Sequence, residues 1–270
     1  MFRPRKRVYR RDFFELKNME TGYDHIIRAF VDKHGLSRGQ VIAEIERTFS
    51  SMLSRWHQKN VVVVFADGQL SAIGYHDHPT GPVQTPIDLK SMRGWNTIKR
   101  ILDTNLSTAA CMDEVSTYKR KEKSIVWGKV ISRNEKELHV ELEMEFGIPL
   151  YAHCPLPYLG QHERHQLLIG DRRAFHLRRV ESILIGNTPR TQFTVDRVSK
   201  ALVELLIKDK LSPKYRQTKI RCQARYVGKK SFVESDRFVS KQAILETAEE
   251  LGEHIQVKII KRKKEKKYAF

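Results

Sequence analysis

Cysteine is scarce. The chain has Cys111, Cys154 and Cys222, odd in number and far apart. This excludes a disulfide framework and the paired spacing of a zinc site, and it suits a reducing compartment. No apolar run approaches the roughly 20 residues that span a bilayer. The start, Met1-Phe2-Arg3-Pro4-Arg5-Lys6-Arg7, is basic but lacks the apolar centre of a secretory signal, so a cytoplasmic location is expected. Catalytic signatures are missing as well. There is no Gly-rich Walker loop, no Gly-x-Ser-x-Gly elbow, no His-Glu-x-x-His and no carboxylate pair that reads as a two-metal nuclease site. No catalytic residue, metal or cofactor is expected. Acidic residues are also short: 32 against 50 basic, a net charge of +18. That excess favours a polyanionic partner, RNA or DNA ahead of an acidic membrane surface.

The 270 residues suffice for two or three small domains with cores of their own. Residues 1–20 read as a basic arm and 21–95 as a head domain. A helix begins near Tyr23 with Ile26, Ile27, Phe30 and Val31, and Gly35 breaks it. Ser37-Arg38-Gly39-Gln40 is a capping box, in which the Ser hydroxyl takes an early N–H and the Gln reaches back. The helix that it opens carries a core stripe of Val41, Ile42, Ile45, Phe49, Met52, Leu53 and Trp56. A buried strand over 61–65, a turn at Asp67-Gly68 and a return strand over 70–75 make a hairpin. His76-Asp77-His78 is metal-capable but lies at a loop. A polar hairpin end is the competing reading to a metal-dependent nuclease. Pro79, Gly81, Pro82 and Pro86 mark a rigid linker.

A long helix follows over 97–121, within a connecting segment at 96–123. Five short strands, 125–130, 138–142, 148–152, 174–180 and 183–185, suggest a small barrel of the OB type over 124–190. Such barrels bind single strands by stacking bases on a basic face. The candidates are Trp127, Lys129, His139, Tyr151, Arg172, Phe175, Arg178 and Arg179, with a core role the competing reading for Trp127 and Phe175. From 191 to 260 come a helix carrying Leu202, Leu205 and Leu206, then a strand of period two. There Ile220, Cys222, Ala224 and Tyr226 face one way and Lys219, Arg221, Gln223 and Arg225 the other. A turn at Gly228-Lys229-Lys230, a second strand, a helix ending at Gly252 and a last strand complete the unit. Arg221, Arg225, Lys229 and Lys230 offer a basic surface, and the tail at 261–270 adds Lys261, Arg262, Lys263 and Lys264.

Arg197-Val198-Ser199, then Leu202-Val203-Glu204-Leu205, Pro213 and Ala224-Arg225-Tyr226-Val227-Gly228-Lys229-Lys230, resemble the first KH domain of the bacterial transcription factor NusA. Trp127-Gly128-Lys129-Val130 and Gly170-Asp171-Arg172 look like its S-one RNA-binding domain, and the helix–helix–hairpin head is similar to its N-terminal domain. The resemblance covers roughly 23–260. It implies an α+β multidomain protein: an α/β head, a five-stranded OB-type barrel, and one type II KH domain of order helix–strand–strand–helix–helix–strand. It further implies a non-catalytic RNA-binding factor that contacts RNA polymerase through the head and nascent single-stranded RNA through the barrel and KH unit. Other transcription factors are implied partners, and a membrane is not. A ribosome- or mRNA-associated RNA binder without polymerase contact is the alternative. One departure stands out. Where a KH domain carries Gly-x-x-Gly this chain has Ser240-Lys241-Gln242-Ala243, so the phosphate clamp is altered and Lys241 is its remaining cation.

Overall fold

The computed structural model describes residues 23–76, 79, 83–89, 94–144, 149–215 and 217–260. The N-terminal arm, Asp77, His78 and the tail with Lys261, Arg262, Lys263 and Lys264 lie outside them. The fold is mixed α and β. It divides into two units, the first built from residues up to 114 with 182–190, the second from 115–181 and the chain from 191 onward.

The first unit begins with α1 (Asp24–His34), which Gly35 ends in the left-handed conformation at φ 66°. The predicted capping box opens α2 (Arg38–His57): Ser37 Oγ accepts from the Gln40 N–H, and the Gln40 side chain accepts from the Ser37 N–H at 2.8 Å. Val41, Ile45, Phe49, Met52 and Leu53 are buried on its inner stripe, whereas Trp56 ends up 41% exposed. Strands β1 (Asn60–Ala66) and β2 (Gln69–His76) pair antiparallel around Asp67-Gly68, both at positive φ as a tight primed turn requires. A third strand, β3 (Val83–Ile87), pairs antiparallel with β2 where a rigid linker was expected. The sheet order β1-β2-β3 puts β3 at an edge, the place where a strand tolerates Pro86 without losing a ladder bond. The core joins α1, α2, the inner sheet face and Ile98, Leu102 and Leu106 of α3 (Trp95–Lys119). A fully buried leucine such as Leu53 or Leu102 contributes roughly 2 kcal/mol.

The other edge, β1, is closed from α2. Glu46, Ser50 and Ser54 accept from the N–H groups of Phe65, Val63 and Val61 at 2.7, 2.8 and 2.9 Å. One helical turn of about 5.4 Å nearly matches two strand residues of about 6.6 Å, so a stripe at four-residue spacing can serve alternate amides. An unpaired strand edge is thereby removed as a template for association.

The second unit contains a closed five-strand ring of order β4-β5-β6-β8-β7. Its strands are β4 (Ile125–Arg133), β5 (Glu137–Leu142), β6 (Leu150–Pro155), β7 (Arg172–Ile185) and β8 (Thr188–Asp196). All described pairings are antiparallel except β6 with β8, which is parallel. Two strand expectations are corrected here. Residues 174–180 and 183–185 belong to one continuous strand, β7, and the fifth member of the ring is β8. Val126, Val130, Leu138, Val140, Phe175, Leu177, Phe193 and Val195 are buried on these strands. Gly128 is needed for packing as much as for bending, because a Cβ there would lie 2.5 Å from Val140 Cγ1. Gly170, at φ 100°, and Asp171 launch β7, with the Asp171 carboxylate accepting from the Leu168 N–H at 3.1 Å.

The C-terminal part of this unit runs α5 (Lys200–Lys210), β9 (Ile220–Tyr226), β10 (Lys230–Ser235), α6 (Lys241–Leu251) and β11 (His254–Ile259). Strand β10 is central, antiparallel to β9 and parallel to β11. The order lacks one of the two helices that the KH resemblance implies between β10 and β11. Only residues 236–240 separate β10 from α6, too few for a helix, and Ser240 caps α6. The parity expected for β9 also fails partway. The register slips between Phe232 and Val233, which pair with Ala224 and Cys222, leaving Gln223 as the extra residue of a bulge. Ile220 and Cys222 point inward as expected, but beyond the bulge Arg225 turns in and Tyr226 turns out.

Candidate nucleic-acid interface

The barrel and the C-terminal part are held together by a buried arginine. Arg197, fully buried, donates to Glu163 Oε1 (2.8 Å), Ala174 O (2.6 Å), Glu250 Oε1 (2.9 Å) and Glu250 O (2.9 Å). These partners come from α4 (Glu163–Gln166), β7 and α6. Burial opposes the charge, but the two carboxylates outweigh it and hold the guanidinium pKa above its ordinary value. His162 adds a second tie through Leu251 O at 3.2 Å.

A second buried pair lies inside the C-terminal part. Arg225 donates to Glu253 at 2.8 to 3.2 Å and to Ser199 O at 2.5 Å. Glu253 also accepts from Ser231 Oγ (2.8 Å) and the Gly228 N–H (3.2 Å). Burial pushes the Glu253 carboxyl up, but Arg225, Ser231 and Gly228 prevail and hold it below its usual range. Arg225, expected as an RNA contact, is therefore an internal structural cation with a side chain 2% exposed. The bulge at Gln223 is the reason.

Phe175 is the other correction. It is wholly buried in the ring, with the Arg197 guanidinium 5.7 Å from its ring centroid, and no base can reach it. Trp127 is half-buried against the C-terminal core. Arg172 lies 4.6 Å and Lys210 5.6 Å from its ring centroid. Lys129 and Arg172 are direct cross-strand partners and both are exposed. Arg172 is bidentate to Glu143, both bonds 2.7 Å, which neutralises part of its charge.

His139 is half-exposed on β5, 3.5 Å from Glu137 and paired with His153, whose imidazole burial pushes below its usual value. Tyr151 is 58% exposed on β6, the outward aromatic of this face. Further along β7, Arg178 stacks over Tyr158 at 4.3 Å and Arg179 is exposed beside Glu181. On the C-terminal sheet Arg221 and Lys229 are exposed, and Lys230 lies 4.8 Å from the Phe232 ring centroid. Lys241 is exposed at the first position of α6. There Ser240 Oγ accepts from the Ala243 N–H at 3.3 Å, occupying an amide that a glycine loop would present to phosphate.

The structure thus brings together Lys129 with Arg172, and Arg221, Lys229 and Lys230 on one small sheet. Tyr226, which a period of two places with the inward residues Ile220 and Cys222, stands outward on that sheet beside Phe232, because a bulge leaves no mark in composition or period. The Glu163–Arg197–Glu250 tie was equally invisible, its members being separated by dozens of residues.

Burial pushes the Cys154 thiol up to about 12 and raises Cys222, so neither supplies a thiolate at neutral pH. Among the described residues no group of three His, Cys, Asp or Glu side chains is arranged to hold a metal. His76 is 3.0 Å from the Lys59 amine. Among the described residues no helix is long and apolar enough to cross a membrane. No protein-family model matches the sequence, and no curated protein is detectably similar to it.

Proposed function

We propose that this chain is a NusA-like, non-catalytic RNA-binding transcription factor. Its head contacts RNA polymerase, and its barrel and C-terminal unit hold nascent RNA, modulating elongation, termination or antitermination. One observation carries the reading. A five-strand ring whose order, numbered within the ring, is 1-2-3-5-4 is joined by a buried arginine network to a helix–strand–strand–helix–strand unit. This ring order, with its third and fifth strands parallel, is the Greek-key arrangement that an OB barrel requires. The C-terminal unit has the strand order of a KH domain reduced by one helix. Basic side chains stand outward on both parts, and the Arg197 network fixes them as one body, which is what a continuous RNA track needs.

The head supports a protein partner. The outward face of its sheet carries an apolar row, Val62, Ile73 and Pro86 in register, with Val64 next along β1 opposite Ser71; Val62 and Val64 are 40% and 44% exposed. Solvated apolar surface of this kind marks association sites.

Crosslinking the full chain to an elongation complex that carries a labelled transcript tests both contacts at once. The expected result is polymerase crosslinks on residues 60–87 and RNA crosslinks on the barrel and on 219–260. RNA crosslinks confined to the head would overturn the track, and co-purification with ribosomal subunits alone would favour the ribosome-associated alternative.

A further inference from the structure

Beside the cations of the RNA track, the outer face of the C-terminal sheet carries an exposed aromatic pair to which the track assigns no role. Tyr226 is 60% exposed and Phe232 36% exposed. Their ring centroids are 6.4 Å apart at 83°, edge to face. Both are aromatic side chains turned to water on a three-stranded sheet, where burial would normally take them. In register, Phe232 lies between Ala224 and Gln256, and Glu234 between Arg221 and Lys258. Arg221, Lys258 and the turn residue Lys229 are exposed, and the Lys230 ammonium stands over Phe232. Against these four cations the face presents one acid, Glu234, which is engaged by the Gln223 amide.

We propose that this face binds single-stranded RNA, with one base stacked on Tyr226 against the edge of Phe232 and the flanking phosphates on Arg221, Lys229 and Lys258. The inference rests on the RNA-binding reading above and gives it a second surface, distinct from the helix start at Ser240. The occupant follows from the charge. An apolar protein segment would be served by the rings but not by four cations, whereas a polyanion with flat bases is served by both. Perpendicular rings admit one flat base at a time, and Tyr226, the more exposed, is its platform. With the amide at the start of α6 already taken by Ser240, base recognition has moved from the helix to the sheet, the mode of other sheet-based RNA binders.

The test uses the full chain with a labelled oligoadenylate and an abasic strand of the same length and charge, read by fluorescence anisotropy. Wild type is expected to prefer the base-bearing strand by about 5- to 150-fold, the worth of one stacked base. Tyr226→Ala abolishes that preference while leaving abasic binding unchanged, and Tyr226→Phe retains it. Arg221→Ala and Lys258→Ala weaken both strands alike. The platform is overturned, with RNA binding intact, if wild type shows no preference, if Tyr226→Ala keeps it, or if Tyr226→Leu matches wild type. Sedimentation showing a wild-type dimer that Tyr226→Ala dissociates would assign the face to self-association instead. Failure of wild type to bind either strand would sink the RNA-binding reading itself and the platform with it.

Discussion

Replacing Arg225 by Met separates its two possible roles, surface cation and internal tie. The guanidinium makes three bonds to Glu253 and one to Ser199 O, and both members of the pair are almost wholly buried. Removing one partner of a buried ion pair costs about 3–5 kcal/mol, because the remaining charge is stranded. Glu253 would keep two donors, Ser231 Oγ and the Gly228 N–H, which places the loss near the lower end. With a urea m-value of about 2 kcal/mol/M, a loss of about 3 kcal/mol lowers the midpoint by about 1.5 M. The readout is Trp127 fluorescence in a background where Trp56 and Trp95 are Phe, so that the second unit alone is followed. Arg225→Met with Glu253→Gln should regain roughly half of the loss, since the neutral amide strands no charge. RNA affinity, measured well below the midpoint, should not change. An unmoved midpoint together with weakened RNA binding would refute the inward placement of Arg225 and the bulge that produces it.

Acid should act through the same pair. The Glu253 carboxyl is held below its usual range, so its contribution is complete above about pH 4.3 and is lost as the pH falls through the lowered folded value. Thermal melts across that window should show a fall in Tm that Arg225→Met flattens. Ser50→Ala leaves the Val63 N–H without its acceptor and should cost about 1–3 kcal/mol in chemical denaturation, with the exposed neighbour Ser51→Ala as the silent control. Gly128→Ala drives a methyl into Val140 and should destabilise the ring by about 1–3 kcal/mol, relieved in part by Val140→Ala. Lys229→Ala should reduce the slope of log K against log salt by about 0.7, the share of one phosphate contact on a single strand.

Much of the fold could be read from local chemistry. The capping box at Ser37, the αL stops at Gly35 and Gly252, and the turn at Asp67-Gly68 each rest on one or two residues whose backbone preference is strong. The misread places depend on partners distant in sequence. Pro86 signals a linker by itself. Only its pairing opposite Ile73, on the edge that lacks a further neighbour, makes it a strand residue. Strand β8 was missed because Thr188-Pro189-Arg190-Thr191-Gln192 has no apolar period, and its pairing supplies the strand that its composition does not.

The candidate site was less legible than the fold for a related reason. A side chain on a strand is assigned to a face by counting, and one extra residue inverts every assignment beyond it. At Gln223 that inversion exchanges Arg225 and Tyr226: the cation goes inside to meet Glu253, and the aromatic comes out beside Phe232. The exchange is driven from within. Glu253 follows the αL glycine that ends α6, enters the core with Ser231 beside it, and requires a buried cation opposite. Once Arg225 fills that need, its neighbour Tyr226 has only the outer face left. The internal ion pair and the exposed aromatic pair are therefore one structural decision: deleting Gln223, which leaves Cys222 and Ala224 opposite Val233 and Phe232 as adjacent residues, should keep both, whereas inserting a residue between Phe232 and Val233, which gives Gln223 a partner and inverts the faces beyond it, should lose both together.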